Sequence, residues 1–306
     1  MNDHRFRRYV TPGLLAWVCV PGMLVAQGQR ALLLRADRAM ADSAWNTGFR
    51  LAITSASREL VLLWPGAPVV KGQADIGQLF LVVQGVGNLT RAVRGEGAPD
   101  SIRVTWQPMG ASLSADSSLG CTWGVAVGSD AGGTSPTIGR YIGAWRKLAQ
   151  GWQLEAFMLT AAPGDENMPV VAGLPPEHPP LSAEGVTGQF VAADLAFARL
   201  AGDSGAGVAF ERWAAPDAHA FFGGGLLVEG PRALGRAVAG SATWTWHPVV
   251  AGASHDGSMG WTVGEAVITA ADGHSGPSKY LTVWKRQADG SIKYYTDGGN
   301  GRPMAR

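Results

Sequence analysis

The chain has 306 residues, of which 46% are hydrophobic and 16% are charged. This balance suits packed globular domains and excludes disorder over most of the length, and the length itself exceeds what one small domain needs. The 25 basic and 24 acidic residues nearly cancel, and the basic residues are scattered, so no bulk field attracts phosphate backbones. We therefore expect no nucleic-acid partner.

The first 26 residues have the pattern of a secretory signal peptide. Three arginines within the first eight residues precede a short apolar run over residues 14–20, and small or aliphatic residues end at Ala26. We expect cleavage after Ala26 and export to the periplasm or beyond the cell. A retained membrane helix is the alternative, but the run is short for an anchor, so we expect no membrane span after processing.

An internal repeat is the most informative pattern in the chain. Four blocks of the first half return in the same order in the second half: residues 34–41 and 191–198, 106–108 and 246–248, 119–124 and 259–264, and 141–147 and 280–286. The offset between paired residues shrinks from 158 at Gly72 and Gly230 to 140 at Trp106 and Trp246. This change places an insertion in the first copy between Leu81 and Asp100. Together with the signal-peptide pattern over 1–26, the repeat predicts a first domain over 27–162, a proline-rich linker over 163–185 and a second domain over 186–306.

Each copy follows the same order of predicted elements. The first copy is expected to have a helix over 31–45, a short second helix, a hairpin over 60–70, a helix over 71–83 and strands near 101–109, 119–128, 139–147 and 152–159. The second copy is expected to have two helices, a hairpin around 223–225, a helix from Pro231 and strands near 242–249, 258–269, 279–287 and 291–297. Helices come first and a meandering sheet last, so the predicted class is α+β.

The motifs of both copies resemble the nuclear transport factor 2-like superfamily, especially its SnoaL-like, cystatin-like branches of unknown function. The resemblance rests on four features: an Ala-Asp-x-Ala-Phe-Ala first helix, a hairpin over 64–66 followed by Gly72, a Gly-x-Thr-x-Gly strand, and the ending 280–286 followed by Asp-Gly. It implies two tandem cone-shaped domains, each with N-terminal helices packed on a curved antiparallel sheet. It also implies that the two sheets pair by their outer faces, giving a pseudo-dimer within a monomeric chain.

The resemblance does not define an activity, because the superfamily includes isomerases, cyclases, hydrolases, dehydratases and members without catalysis. In active members a small apolar ligand occupies the interior of the cone. Asp37 and Asp194 lie among apolar residues of the first helix of each copy, where desolvation would raise a carboxyl pKa. The alternative is that each aspartate is hydrogen-bonded and ties its helix to the rest of the domain.

Three further polar residues occur in the second copy without a counterpart in the first. The candidates for acid or base chemistry are therefore Asp194, Glu265, Asp297 and His247, whereas the first copy has Val125, Phe157 and Gln107 at the last three positions. Glu265 shares a strand face with apolar residues, but it could also be an outward-facing residue. Asp297 could act as a base or cap a turn, and His247 could be a hydrogen-bonding core or surface residue. Any chemistry is expected in the second copy.

Aromatic residues on the predicted strands are candidates for lining a ligand cavity. The predicted ligand-binding set is Asp37, Trp64, Trp123, Trp145, Trp261 and Trp284. The alternative is that the tryptophans fill the cores or the contact between the two copies. Histidines and acids do not cluster as metal ligands, and no glycine pattern fits a phosphate loop, so we expect no metal and no cofactor.

Two functions remain compatible with the sequence. The first is an exported, non-catalytic module that binds a small apolar molecule or has a structural role. The alternative is a cofactor-independent acid/base enzyme of the isomerase, cyclase or hydratase type, acting on a small apolar substrate in the second domain.

Overall fold

The computed structural model describes residues 21–82, 103–129, 137–160, 179, 181–182, 184–223 and 225–301. Within these ranges the helices are α1 (Pro21–Thr47), α2 (Phe49–Ala52) with a 3₁₀ turn (Ile53–Ser55), α3 (73–82), α4 (Gly185–Ser204), α5 (Ala206–Trp213) and α6 (Pro231–Val238). Apart from Val82, the predicted insertion between Leu81 and Asp100 lies outside the described residues, as does most of the predicted linker. No helix in the described ranges is both long and apolar enough to span a membrane.

Each half of the chain forms a six-stranded sheet. The first contains β1 (Val61–Leu63), β2 (Val70–Lys71), β3 (Arg103–Leu113), β4 (Leu119–Ser129), β5 (Thr137–Leu148) and β6 (Gly151–Leu159). The second contains β7 (Ala214–Phe222), β8 (Leu226–Glu229), β9 (Thr243–Ala253), β10 (Met259–Thr269), β11 (Ser275–Arg286) and β12 (Ile292–Gly301). The strand orders are β2-β1-β6-β5-β4-β3 and β8-β7-β12-β11-β10-β9, which are the same order twice.

The predicted α+β class and the two tandem domains are confirmed, with one difference in strand direction. The sheets are mixed, because β1 pairs with β6 in parallel and β7 pairs with β12 in parallel, while the other pairs are antiparallel. The early hairpin of each domain is separated from the last meander strand by a helix and three strands. This long connection allows the two strands to meet in the same direction.

Two glycines support the alignment of the copies. Gly72 has a φ of 88° and Gly230 a φ of 82°, and each immediately precedes a helix, α3 or α6. These backbone conformations are open to glycine at little cost and strained for other residues. The same local chain reversal therefore occurs at the same point of each domain.

One face of each sheet, the inner face, is covered by the helices of its own domain. Helix α1 packs on β3 and α4 packs on β9. The opposite, outer faces pack against each other through a shared apolar cluster that includes Val61, Ile142 and Met158 of the first domain and Val263 and Leu281 of the second. The domains thus meet sheet to sheet.

The two β-hairpin turns at one end of this contact bind each other reciprocally. The backbone N–H of Asp116 donates to Oδ2 of Asp256 at 3.0 Å, and the N–H of Asp256 donates to Oδ2 of Asp116 at 3.2 Å. Such an exchange of equivalent bonds is the pattern of a two-fold axis. The two domains are therefore related by a pseudo-two-fold axis near these turns.

Candidate functional site

A cavity of about 320 Å³ lies on the inner face of the second sheet. Its walls come mainly from α4, α5, the end of β7 and strands β9 to β12. Its lining includes Phe197, Phe210, Trp244, Trp246, Ala266, Ile268, Tyr280, Thr282 and Asp297. The lining is mainly aromatic and aliphatic, with a few polar groups at one side. This combination is typical of sites that bind small molecules.

Among the described residues, Asp297 is the carboxyl group that lines this cavity. It lies within β12 opposite Thr282 of β11, and the Thr282 hydroxyl donates a hydrogen bond to its Oδ1. The side chain is only 8% exposed, and burial raises its pKa to about 7, with a further increase from the nearby charge of Asp194. Near neutral pH, Asp297 therefore exists in both protonation states, and it does not cap a turn.

Asp194 does not line the cavity, and both oxygens of its carboxyl accept hydrogen bonds. Its Oδ1 accepts a bond from the indole N–H of Trp246 at 2.8 Å, and its Oδ2 accepts a bond from the hydroxyl of Tyr280 at 2.9 Å. Thr262 also bonds this carboxyl, and burial raises its pKa to about 6. Burial and the neighbouring Asp194 raise the pKa of Tyr280 well above its usual value.

The first domain contains the same arrangement around Asp37. Trp106 and Tyr141 each donate to its carboxyl at 2.5 Å, and burial raises its pKa to about 6. In both domains a threonine beside the aspartate also accepts a bond from a strand tryptophan, Trp145 to Thr122 and Trp284 to Thr262. Because both domains share it, this network is a structural tie between the first helix and the sheet.

The equivalent of Asp297 in the first domain is Phe157, and it is buried in an aromatic core. Phe157 lies opposite Gly143, just as Asp297 lies opposite Thr282. Its ring centroid is 4.9 Å from that of Trp106 and 5.7 Å from that of Tyr141. Other fully buried aromatic side chains in this core are Phe49, Trp64 and Phe80. Large rings thus occupy the region where the second domain has its polar group.

Glu265 and His247 lie on the other side of the second sheet. Glu265 follows Trp261 and Val263 on the same face of β10, and both of these belong to the cluster between the sheets. His247 is the cross-strand neighbour of Glu265. Although Glu265 is only 3% exposed, it is directed away from the cavity. The four acid/base candidates therefore do not form one site, because only Asp194 and Asp297 lie on the inner face.

The predicted ligand-binding residues do not line the cavity. Asp37, Trp64 and Trp145 are in the core of the first domain, Trp284 is in the core of the second, and Trp123 and Trp261 pack between the sheets. The alternative of core and interface packing fits their positions. Sequence reasoning missed Trp244, Tyr280 and Thr282 as lining residues. One signal in the sequence could have indicated this region. On two neighbouring strands, Gly143 and Phe157 of the first domain correspond to Thr282 and Asp297 of the second.

Metal ligation has no candidate in the described ranges, where no group of three or more histidine, cysteine, aspartate and glutamate side chains could hold an ion. Cys121 is a buried free cysteine, and burial raises the pKa of its thiol to about 11.

No protein-family model and no curated protein sequence matches this chain. Solved structures do show similarity, each over about one domain. A ketosteroid isomerase-like protein from Erwinia carotovora atroseptica matches with 16% identity and a TM-score of 0.32, covering 43% of this chain and 94% of its own. An uncharacterised protein with a cystatin-like fold from Caulobacter vibrioides matches with 12% identity and a TM-score of 0.31, covering 37% and 88%. An NTF2-like protein of unknown function from Pseudomonas putida matches with 12% identity and a TM-score of 0.32, covering 38% and 86%. These three solved structures carry the names ketosteroid isomerase-like, cystatin-like and NTF2-like.

Proposed function

We propose that the second domain binds a small, mainly apolar molecule that carries one hydrogen-bonding group. The observation that supports this proposal is the cavity on the inner face of the second sheet, at the place where the first domain holds Phe157. A volume of about 320 Å³ is at the lower end of the range for small-molecule sites. The proposed ligand is therefore compact, and aromatic or alicyclic in character.

The polar group of the ligand is expected to contact Asp297. When this carboxyl is protonated, it can donate a hydrogen bond to a carbonyl oxygen, and the surrounding aromatic rings strengthen that bond by excluding water. When it is ionised, it repels the same oxygen. Because its pKa is raised to about 7, we expect a carbonyl ligand to bind more weakly as the pH rises through neutrality.

The test uses 6-acetyl-2-dimethylaminonaphthalene, a flat apolar fluorophore with one carbonyl and an emission that shifts to shorter wavelength in apolar surroundings. We expect saturable binding to the full chain, with a Kd that rises about tenfold between pH ~6 and pH ~8. Asp297→Asn keeps a donor and should remove the pH dependence. Asp297→Phe, which copies the first domain, should weaken binding about 100-fold or more.

Phe157→Tyr is the matched control, since it alters the equivalent position of the other domain and should leave binding unchanged. Equal binding by wild type and Asp297→Phe would contradict the proposal.

A second candidate function is an acid/base enzyme, and the raised pKa of Asp297 supports it because a group that titrates near neutrality can both take and return a proton. The same fluorophore tests this candidate, because its acetyl C–H bonds lie next to the carbonyl. In D₂O an ionised Asp297 would accept a proton from that carbon, exchange it with solvent and return a deuteron. Mass spectrometry should show wild-type-dependent deuteration that Asp297→Asn abolishes. Binding without deuteration would favour the non-catalytic module.

The proposal includes export of the protein, on the strength of the signal-peptide pattern over residues 1–26. Helix α1 begins at Pro21, and the first buried residue among its described side chains is Leu33. Cleavage after Ala26 would therefore shorten the helix without removing a described buried side chain. The intact mass of protein secreted by a bacterial host tests this point. A mass that still includes residues 1–26 would overturn the cleavage site.

A further inference from the structure

We propose that the first domain positions the cavity of the second: it contributes part of the cavity's mouth and holds the strand that carries Asp297. This inference rests on the proposed binding function. It explains why a domain with an aromatic-filled interior accompanies one with a cavity. The contacts lie at two places, the turn between β7 and β8 and the end of β12.

The mouth of the cavity includes one residue of the first domain, Thr160. Its hydroxyl accepts a bond from the N–H of Arg140 at 2.8 Å, and the Arg140 side chain donates from Nε to the carbonyl of Gly225 at 3.1 Å. Gly225 belongs to the turn after Phe222, which also lines the cavity. Arg140 therefore ties the rim of the cavity to the first sheet.

Close packing and a positive φ at this turn both favour glycine at position 225. Gly225 has a φ of +94°, and a Cβ at this position would lie 3.1 Å from both Arg140 Cγ and Thr160 Oγ1. Such a distance is shorter than ordinary van der Waals contact. The turn thus rests directly on the first domain.

The end of β12 is held by backbone groups of the first domain, two carbonyls and one N–H. The side-chain amide of Asn300 donates to the carbonyls of Leu63 at 2.9 Å and Leu159 at 2.6 Å. The N–H of Gly66 donates to the carbonyl of Gly301 at 3.1 Å. These three bonds begin three residues after Asp297, so they fix the path of the strand on which the carboxyl lies.

Apolar packing holds the same strand closer to Asp297. A Cβ on Gly298 would lie 2.5 Å from Met158 Cε of the first domain, so β12 lies close against this side chain. Asp297 faces the cavity and its neighbour Gly298 faces Met158. A shift of the first sheet would therefore move the carboxyl relative to Thr282 and the cavity walls.

The test compares two arginines of β5 that both reach across to the second domain. Arg140 bonds Gly225 at the cavity mouth, whereas Arg146 bonds the carbonyl of Ala253 at 2.8 Å, near the far end of β9. Arg146 also forms a half-buried ion pair with Glu155, so its removal should disturb the interface at least as much. We expect Arg140→Ala to weaken binding of the acetyl-naphthalene probe about tenfold and Arg146→Ala less than about twofold. Arg140→Lys should restore most of the loss, because an ammonium group can also donate to Gly225.

Hydrogen–deuterium exchange of the full chain without probe supplies a readout that does not depend on binding. Arg140→Ala should speed exchange in residues 222–229 and 297–301, whereas Arg146→Ala should speed exchange near residues 253–258 instead. Unchanged exchange at the mouth in Arg140→Ala, or equal binding losses in both variants, would overturn the positioning role. If the wild type fails to bind the probe while these exchange changes occur, the proposed function fails and the positioning contact remains.

Discussion

The two domains share a scaffold and differ in what fills it. Both have the same strand order and the same buried network of aspartate, tryptophan, tyrosine and threonine. They differ at one row of the inner face, where Gly143 and Phe157 of the first domain correspond to Thr282 and Asp297 of the second. The shared features fit a role in folding, and the features that differ lie at the proposed binding site.

This difference changes the physical character of each interior. A phenyl ring beside a glycine fills volume and adds aromatic contacts, which favours stability. A carboxyl beside a threonine leaves volume open and introduces a group that is costly to ionise. The interior of the second domain is thus less tightly filled at the place where a ligand could bind. Variants that exchange these properties test the comparison.

The largest effect is expected for Phe157→Ala in the filled domain. Removing a fully buried ring that contacts Phe49, Trp106 and Tyr141 should lower the free energy of unfolding by about 3–5 kcal/mol, because the transfer free energy is lost and a cavity is left. Urea unfolding followed by circular dichroism measures this loss. Probe binding by the second domain should persist at low denaturant, and a loss below about 1 kcal/mol would show that the first interior is not tightly packed.

A smaller effect of opposite sign is expected for Asp297→Asn. The folded-state pKa of Asp297 is raised from 3.8 to about 7, so the native state holds this proton more tightly than the unfolded chain. The wild-type free energy of unfolding therefore decreases as the pH rises between these two values. Asparagine keeps an acceptor for Thr282 and lacks this decrease.

Asp297→Asn should thus match the wild type near pH ~4 and exceed its stability by roughly 2–4 kcal/mol above pH ~7. Urea titrations at both pH values measure the difference. Asp37 contributes the same slope to both proteins and cancels, whereas the interaction of Asp194 with Asp297 is part of the measured difference. A stability difference that is independent of pH would show that Asp297 is not desolvated in the folded chain.

The sequence predicted the fold more completely than the site, for physical reasons that particular residues show. Helices and strands have periodic patterns, and the repeat aligned Gly72 with Gly230 and Trp106 with Trp246, which the structure places equivalently. Asp297 was singled out because its counterpart is an apolar ring. Glu265 was also singled out, but strand alternation shows only which residues share a face. It does not show which face meets the other domain.

The cavity lining could not be predicted because it depends on volumes summed over several strands. Trp64 and Trp284 were candidates for lining a cavity, with core packing as the alternative, and both are fully buried in cores. Trp244 and Tyr280 line the cavity instead, since the space near Asp297 remains open beside them. What could have indicated the cavity is that two residues facing each other on neighbouring strands both differ between the domains. Such a pair can be recognised only once the strand register is known.

The smallest effects are expected from the network that both domains share. Tyr141→Phe and Tyr280→Phe each remove one hydroxyl that donates to a buried aspartate, Asp37 or Asp194. Each should cost about 1–3 kcal/mol of stability, because the carboxyl loses a donor that water cannot replace. The two losses should agree within about 1 kcal/mol if the network has the same structural role in both domains.

Thermal or urea unfolding measures the two stability losses, and probe binding separates the roles of the two tyrosines. Tyr280 lines the cavity whereas Tyr141 does not, so only Tyr280→Phe should alter the probe's Kd. A much larger stability loss in one domain would show that its aspartate has a role the other lacks, and the division between shared folding network and domain-specific site would then have to include Asp194.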